Sequence, residues 1–206
     1  MKVATKDFII HYEHAEKEIE QLINTLSKNM ERILCFFRLE CLSKPVEIIL
    51  YSTVEAYTEH VLKCGQTYYE WMIADTFDGK INIAAMEVCK TSISHRNMNQ
   101  EDYAKLIIHE LVHICQQEVN PNCYGCEWFW EALATNLADQ KMQYPQTLCT
   151  KEELMFHYSE IPNAYSISYH LGKYMLQNLS EERIYDYIIN PNELWKDTDK
   201  LLRVLE

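Results

Sequence analysis

At 206 residues, 48% of them hydrophobic, the chain is long enough to bury a core of its own, which excludes a disordered tail or a fibre. Four Gly and five Pro are too few for a turn-dense all-β architecture, so a mostly helical α+β protein is expected. With 19 basic against 31 acidic residues, a net charge of −12 and no Lys/Arg-rich run, the clustered cations that grip phosphate backbones are missing, and nucleic acid is not an expected partner.

The predicted elements begin with a short strand over Lys6 to Glu13, KDFIIHYE. Apolar residues then fall at Ile19, Leu22, Ile23, Leu26, Met30, Ile33, Leu34 and Phe37, the three-and-four spacing of a helix with one buried stripe. Pro45 closes that region, and Val46-Glu-Ile-Ile-Leu-Tyr51 reads as a strand rich in β-formers. Ser52 or Thr53 can cap a short helix over Val54 to Lys63. Asp78-Gly79 is a turn signal, and the alternation in Lys80-Ile-Asn-Ile-Ala84 predicts a half-buried strand after it.

From Gln100 to about Gln117 the sequence predicts a helix that is densely apolar between Leu106 and Cys115 and therefore central. Asn120-Pro121-Asn122 and Gly125 break it, and a second helix is expected from Glu127 to Lys141. Further helices are predicted near 151–158, 163–178, 181–189 and 192–204, separated by Pro162, Ser180 and Asn190-Pro191. No internal repeat or linker interrupts this order. The N-terminal segment has no apolar run of signal-peptide length, and nowhere do about 18 uncharged apolar residues follow one another. A cytoplasmic protein without a membrane span is expected, with its eight cysteines as free thiols.

The chemistry concentrates in His109-Glu110-Leu111-Val112-His113, an HExxH motif on a predicted helix. Residues i and i+4 stand above one another about 5–6 Å apart, so both imidazoles can reach one Zn²⁺. Glu110, about 100° round the helix, can reach an attacking water as general base without itself being a ligand. Because Leu106, Ile107, Ile108, Leu111, Val112 and Ile114 surround the motif, its polar groups are expected to be buried, and a shared metal supplies the partner that burial demands.

A third ligand has to come from elsewhere. The extended HExxHxxGxxH pattern fails at Gln116 and Val119. Trp128-Phe-Trp-Glu131-Ala-Leu-Ala134 instead offers a carboxylate on the second helix, among aromatic and small neighbours where an unpaired Glu would be costly. His109, His113 and Glu131 then make a His₂Glu set with a fourth position open.

HELVH followed by WFWEALA resembles the gluzincin clan of zinc metallopeptidases, whose members include the thermolysin-like enzymes. Over roughly residues 45–178 the resemblance implies a zincin-like α+β fold. A small mixed sheet packs on the HExxH helix, a mostly helical C-terminal lobe follows, and an edge strand near Lys80–Ala84 receives the substrate backbone. On that basis residues 1–206 form a single domain, with the sheet and HExxH helix in 1–118 and the Glu ligand in a helical lobe at 119–206. The implied cofactor is Zn²⁺, and the implied substrate is a peptide or protein hydrolysed with Glu110 as base.

In small gluzincin-like proteins a tyrosine on the helix after the ligand helix often steadies the oxyanion. Here that points to Tyr165 first, then Tyr169, with His170 third. Many members of the clan also carry Asp four residues after the ligand Glu, behind a histidine, where this chain has Thr135; Asn136 or Asp139 could take over that support. The departure leaves a second expectation standing, a weak or inactive peptidase-like zinc protein used as a binding or regulatory module. Cys123-Tyr-Gly-Cys126 is a single CxxC, with ordinary loop cysteines as its simplest reading. His11, His14, His60, His95 and His157 lack a ligand context. No GxSxG, GxxxxGK[ST] or GxGxxG occurs, which disfavours serine-hydrolase and nucleotide chemistry. The oligomeric state is open.

Overall fold

Val46, Ile48 and Leu50 are buried in alternation with the half-buried Glu47, Ile49 and Tyr51, so the segment needs one covered face. In the computed structural model, which describes residues 1–13, 16–121 and 127–206, a sheet supplies it. Among the described residues the strands are β1 (Lys2–Ala4), β2 (Phe8–Tyr12), β3 (Val46–Tyr51), β4 (Ala74–Phe77) and β5 (Lys80–Ala84), in the order β1-β2-β3-β5-β4. β2, β3 and β5 run parallel, while β1 and β4 close the two edges antiparallel. The protein is therefore α+β with a small mixed sheet. The described chain forms two compact units, Met1–Cys115 and Gln116–Glu206.

In the first unit the register places Ile10, Ile48, Ile81 and Thr76 in one row across four strands. Because side chains alternate along a strand, Asn82 and Asp75 share the opposite face. Four helices belong to this part of the chain: α1 (Glu16–Phe36), α2 (Val54–Lys63), α3 (Met86–Cys89) and α4 (Gln100–Val119), the last running on past Cys115. The predicted stripe of α1 is buried at Ile19, Leu22, Leu26, Ile33 and, just beyond it, Phe37, each such side chain contributing about 1.5–3 kcal/mol. Thr53 caps α2 by accepting from the Ala56 amide at 3.1 Å, and Asn99 caps α4 by accepting from Glu101 and Asp102.

The strand predicted as half-buried is buried along nearly its whole length, and it is not an edge. β5 pairs with β3 on one side and β4 on the other, so the edge is β4, which the alternation did not reveal. Asp78 and Gly79, at φ 51° and 66°, make the two-residue turn that folds β4 back onto β5.

The second unit is helical: α5 (Glu127–Leu137), α6 (Lys151–Phe156), α7 (Ala164–Asn178), α8 (Glu181–Ile189) and α9 (Pro191–Leu202), with 3-10 turns at Tyr158–Glu160 and Arg203–Leu205. Thr150 and Glu153 form a reciprocal capping box on α6, and Ser180 caps α8. α5 stops four residues short of the predicted Lys141. Asp139 turns into the left-handed region (φ 53°), its amide bonds back to Asn136 and the Gln140 amide to Thr135, a Schellman ending without the usual glycine. Asn122 and Gly125 of the expected breaker, and the Cys123–Cys126 pair, lie outside the described residues, as does His14.

α5 and α7 approach at their backbones. A Cβ on Gly172 would stand 2.5 Å from the Ala132 carbonyl oxygen and 2.5 Å from Asn136 Nδ2. Gly172→Ala is therefore expected to destabilise by about 1–3 kcal/mol through overpacking, against the roughly 1 kcal/mol that alanine gains in a helix interior. Urea denaturation reads the balance, and a raised midpoint would refute the tight contact. Among the described residues no helix is long and apolar enough to cross a membrane.

Candidate metal centre

α4 carries its polar motif inside an apolar run. Ile107, Ile108, Leu111, Val112 and Ile114 are buried, and His109 and Glu110 are buried with them at 6% and 5% exposure. Tyr103 donates from its hydroxyl to the Ala84 carbonyl at 3.0 Å, which fixes the helix against the end of β5. The i,i+4 spacing brings the two imidazoles together as expected: their Nε2 atoms are 3.0 Å apart and the rings meet edge to face.

Gln116 explains part of how Glu131 is placed. This buried amide, which breaks the HExxHxxGxxH pattern, donates at 3.0 Å to the main-chain carbonyl of Trp130, the residue before Glu131. Trp128, Phe129, Ala132 and Leu133 are buried around it, leaving Glu131 half-buried on α5. His109, His113 and Glu131 each offer one ligand atom, and these atoms lie within 4.8 Å of one another. The group could hold a metal ion.

The donor set fits such an ion. Two imidazole nitrogens at 3.0 Å need a proton or a cation between them, and the nearby carboxylate oxygen makes the set one that a cation would suit. An ion bound at about 2.0–2.1 Å would set tetrahedral ligand atoms about 3.3 Å apart, near the 3.0 Å between the two imidazole nitrogens, with the Glu131 oxygen inside the 4.8 Å that bounds the group.

Glu110 lies beside the pair but is held from another direction. Thr76 on β4 donates from its hydroxyl to Glu110 Oε2 at 2.8 Å, with the Glu110 carbonyl oxygen at 3.2 Å. Burial pushes the Tyr57 phenol far up, and the Asp75 and Glu110 carboxylates push it further, so Tyr57 stays protonated.

Thr135 does not reach toward a histidine. Its hydroxyl donates within its own helix to the Glu131 carbonyl at 2.6 Å, with that of Ala132 at 3.3 Å. The Asn136 amide nitrogen serves the Ala132 and Tyr169 carbonyls, joining α5 to α7. Asp139 is the left-handed residue that ends α5.

The tyrosines expected near the site sit on α7. Tyr165 is 38% exposed, its ring edge-on to Tyr158, and the half-buried Tyr169 packs edge-on to His170, which in turn meets Tyr144. Tyr158, which the sequence did not single out, also lies within electrostatic reach of Glu131. Burial pushes its phenol up, the Glu131 carboxylate adds to the rise, and Ser168 donates to its oxygen at 3.0 Å. Nothing marks it out in a chain with fourteen tyrosines, whereas Thr76 was within reach by pairing the segment before Asp78-Gly79 with the strand after it. The remaining described histidines have local partners: His11 with Glu47, His60 with Asp75, His95 with the Trp71 carbonyl and His157 with Glu160. No protein-family model matches the chain, and no curated protein matches its sequence significantly.

Proposed function

We propose that the protein is a zinc-dependent peptidase of the gluzincin type, with a zincin-like core in which His109, His113 and Glu131 hold the metal and Glu110 is the general base. The observation that carries this reading is the convergence of those three ligand atoms within 4.8 Å beside a buried glutamate on the same helix turn. Two imidazoles and one carboxylate suit Zn²⁺, and three protein ligands leave one position open. Bound zinc supplies Lewis acidity, polarising a carbonyl and making water a better nucleophile.

The chain's own residues do the rest. Glu110 accepts the proton of the attacking water and returns it to the leaving amine. Tyr165, with Tyr169 as the second choice, supplies a hydroxyl to the developing oxyanion. A peptide or protein substrate lies along β4, the free edge beside the base, as an added strand. Cys35, Cys41, Cys64, Cys89, Cys115 and Cys149 are free thiols, which suits the reducing cytoplasm.

A purified wild-type chain is expected to hold one zinc and to cleave quenched fluorogenic peptides, with a chelator stopping cleavage and Zn²⁺ restoring it. Glu131→Ala is expected to lower zinc affinity by about 10-fold or more, since even the loss of an outer-shell partner costs about 10–100-fold. Cleavage indifferent to chelation, or full zinc affinity in Glu131→Ala, would overturn the assignment. A second reading, a zinc protein that binds peptides without turning them over, is favoured by Thr135, whose hydroxyl is spent on its own helix instead of supporting a ligand.

A further inference from the structure

Thr76 sits in the edge strand β4 between two sets of contacts. On one face its neighbour Asp75 is gripped at both carboxylate oxygens by His60 Nε2 at 3.2 Å, and at Oδ1 by Asn82 Nδ2 at 3.0 Å. Asn82, 2% exposed, also accepts from the Tyr51 hydroxyl at 3.4 Å. An edge strand has backbone partners on one side only and is otherwise free to fray; this polar clamp, part-buried under α2, fastens β4 to its neighbours from the face away from Glu110. On the opposite face Thr76 reaches Glu110, at 2.8 Å to Oε2.

We propose that Thr76 is a positioning residue for Glu110: its hydroxyl fixes the rotamer of the buried carboxylate and sets the distance between the general base and the strand on which the substrate lies. The catalytic consequence rests on the peptidase reading, whereas the hydrogen bond does not. A glutamate has three rotatable side-chain bonds, so its carboxylate has to be held by what it meets. A donor on Oε2 restricts that rotation and orients the carboxylate toward the reacting water. It also offsets part of the cost of burying a charge, because hydrogen bonds to ionised acceptors are about twice as strong as neutral ones. Since the donor belongs to β4, any shift of the strand carries over to the base. Peptide alignment and proton acceptance are thus tied through one hydroxyl, with His60, Asp75 and Asn82 holding the strand in register.

The test compares Thr76→Val, which keeps the shape and loses the donor, with Thr76→Ser, which keeps the donor. In the zinc-loaded full chain Thr76→Val is expected to lower kcat by about 10-fold to 100-fold, the penalty of a displaced catalytic group. KM and zinc content should stay within about threefold, as uniform binding is untouched, and Thr76→Ser should recover most of kcat. A Thr76→Val enzyme with wild-type kcat, or a Thr76→Ser enzyme no better than valine, would overturn the inference while leaving the peptidase reading intact. An independent readout needs no turnover: a double-mutant cycle of Thr76→Val with Glu110→Ala in urea unfolding of the metal-free chain. Coupling of about 10-fold in the unfolding equilibrium constant upholds the grip, and strict additivity overturns it. Should the wild type cleave no peptide, the peptidase reading fails by itself and the cycle alone decides for Thr76.

Discussion

Glu110→Gln is expected to keep its zinc and to lose peptide cleavage by about 10²–10⁴-fold, the range a general base supplies. Glutamine has the shape of glutamate, so the 5% exposed site refills without a cavity. Its amide oxygen can still accept from Thr76, so that bond survives the substitution. What disappears is the ability to take up a proton, because a side-chain amide does not titrate in the accessible range. His109, His113 and Glu131 are untouched, and zinc content should stay near wild type. The pairing of the two measurements matters: zinc lost together with activity would mean that Glu110 is a ligand or a structural prop. Zinc retained with activity within about twofold of wild type would show that another group moves the proton, since a twofold change is far below what general-base loss costs. If the wild type itself does not turn over, the mutant instead separates a binding role from a catalytic one, because it leaves the metal-dependent surface unchanged.

How much of this could be read from the residues depends on whether each signal is local. The i,i+4 histidines are a property of one helix, and an apolar run around them forces burial wherever the helix packs; both are written in residues 106–115. Glu131 was reachable by a similar argument, because a carboxylate among Trp128, Phe129 and Ala132 requires a partner. The strand over Lys80–Ala84 shows where the reasoning stops. Its boundaries follow from alternation, but alternation treats Asn82 as a solvent-facing residue, and Asn82 is buried by partners drawn from β3, β4 and, through His60, α2. Sequence spacing carries no information about such long-range pairs. β4 itself is Ala-Asp-Thr-Phe, with no run of β-formers, and it exists because the Asp78-Gly79 turn folds it onto β5. Helix ends behave alike. Schellman geometry closes α1 at Arg38, α2 at Gly65 and α5 at Asp139, and only the glycine advertises it. The oxyanion donor is the least legible, because aromatics on α7 are core and site candidates at once, and Tyr158, whose phenol the Glu131 carboxylate also raises, comes from the 3-10 turn before that helix.

The largest stability effect is expected at Trp128, three residues before Glu131. Its side chain is fully buried, its indole N–H reaches Met155 Sδ at 3.1 Å, and its ring meets Phe129 edge to face. Trp128→Ala removes the largest side chain in the core and opens a cavity beside α6, at a cost of about 3–5 kcal/mol. Folded domains hold only about 5–15 kcal/mol in total, so this is a large share of the stability present. Trp128→Phe keeps most of the ring and loses the N–H donor with part of the volume, so it should cost clearly less. The stability loss should reach the metal as well. α5 holds Glu131 in place through this anchor at one end and the Ala132–Gly172 contact at the other, while Gln116 grips the carbonyl of Trp130 in between. A loosened first turn frees the carboxylate to wander from the imidazoles, and zinc affinity should fall in the order wild type, Trp128→Phe, Trp128→Ala. Urea midpoints and zinc competition on the same three proteins decide it. Stability loss without any loss of zinc affinity would mean that the position of Glu131 is set from the Gln116 side alone, and a Trp128→Ala cost below about 1 kcal/mol would contradict the packing described for α5.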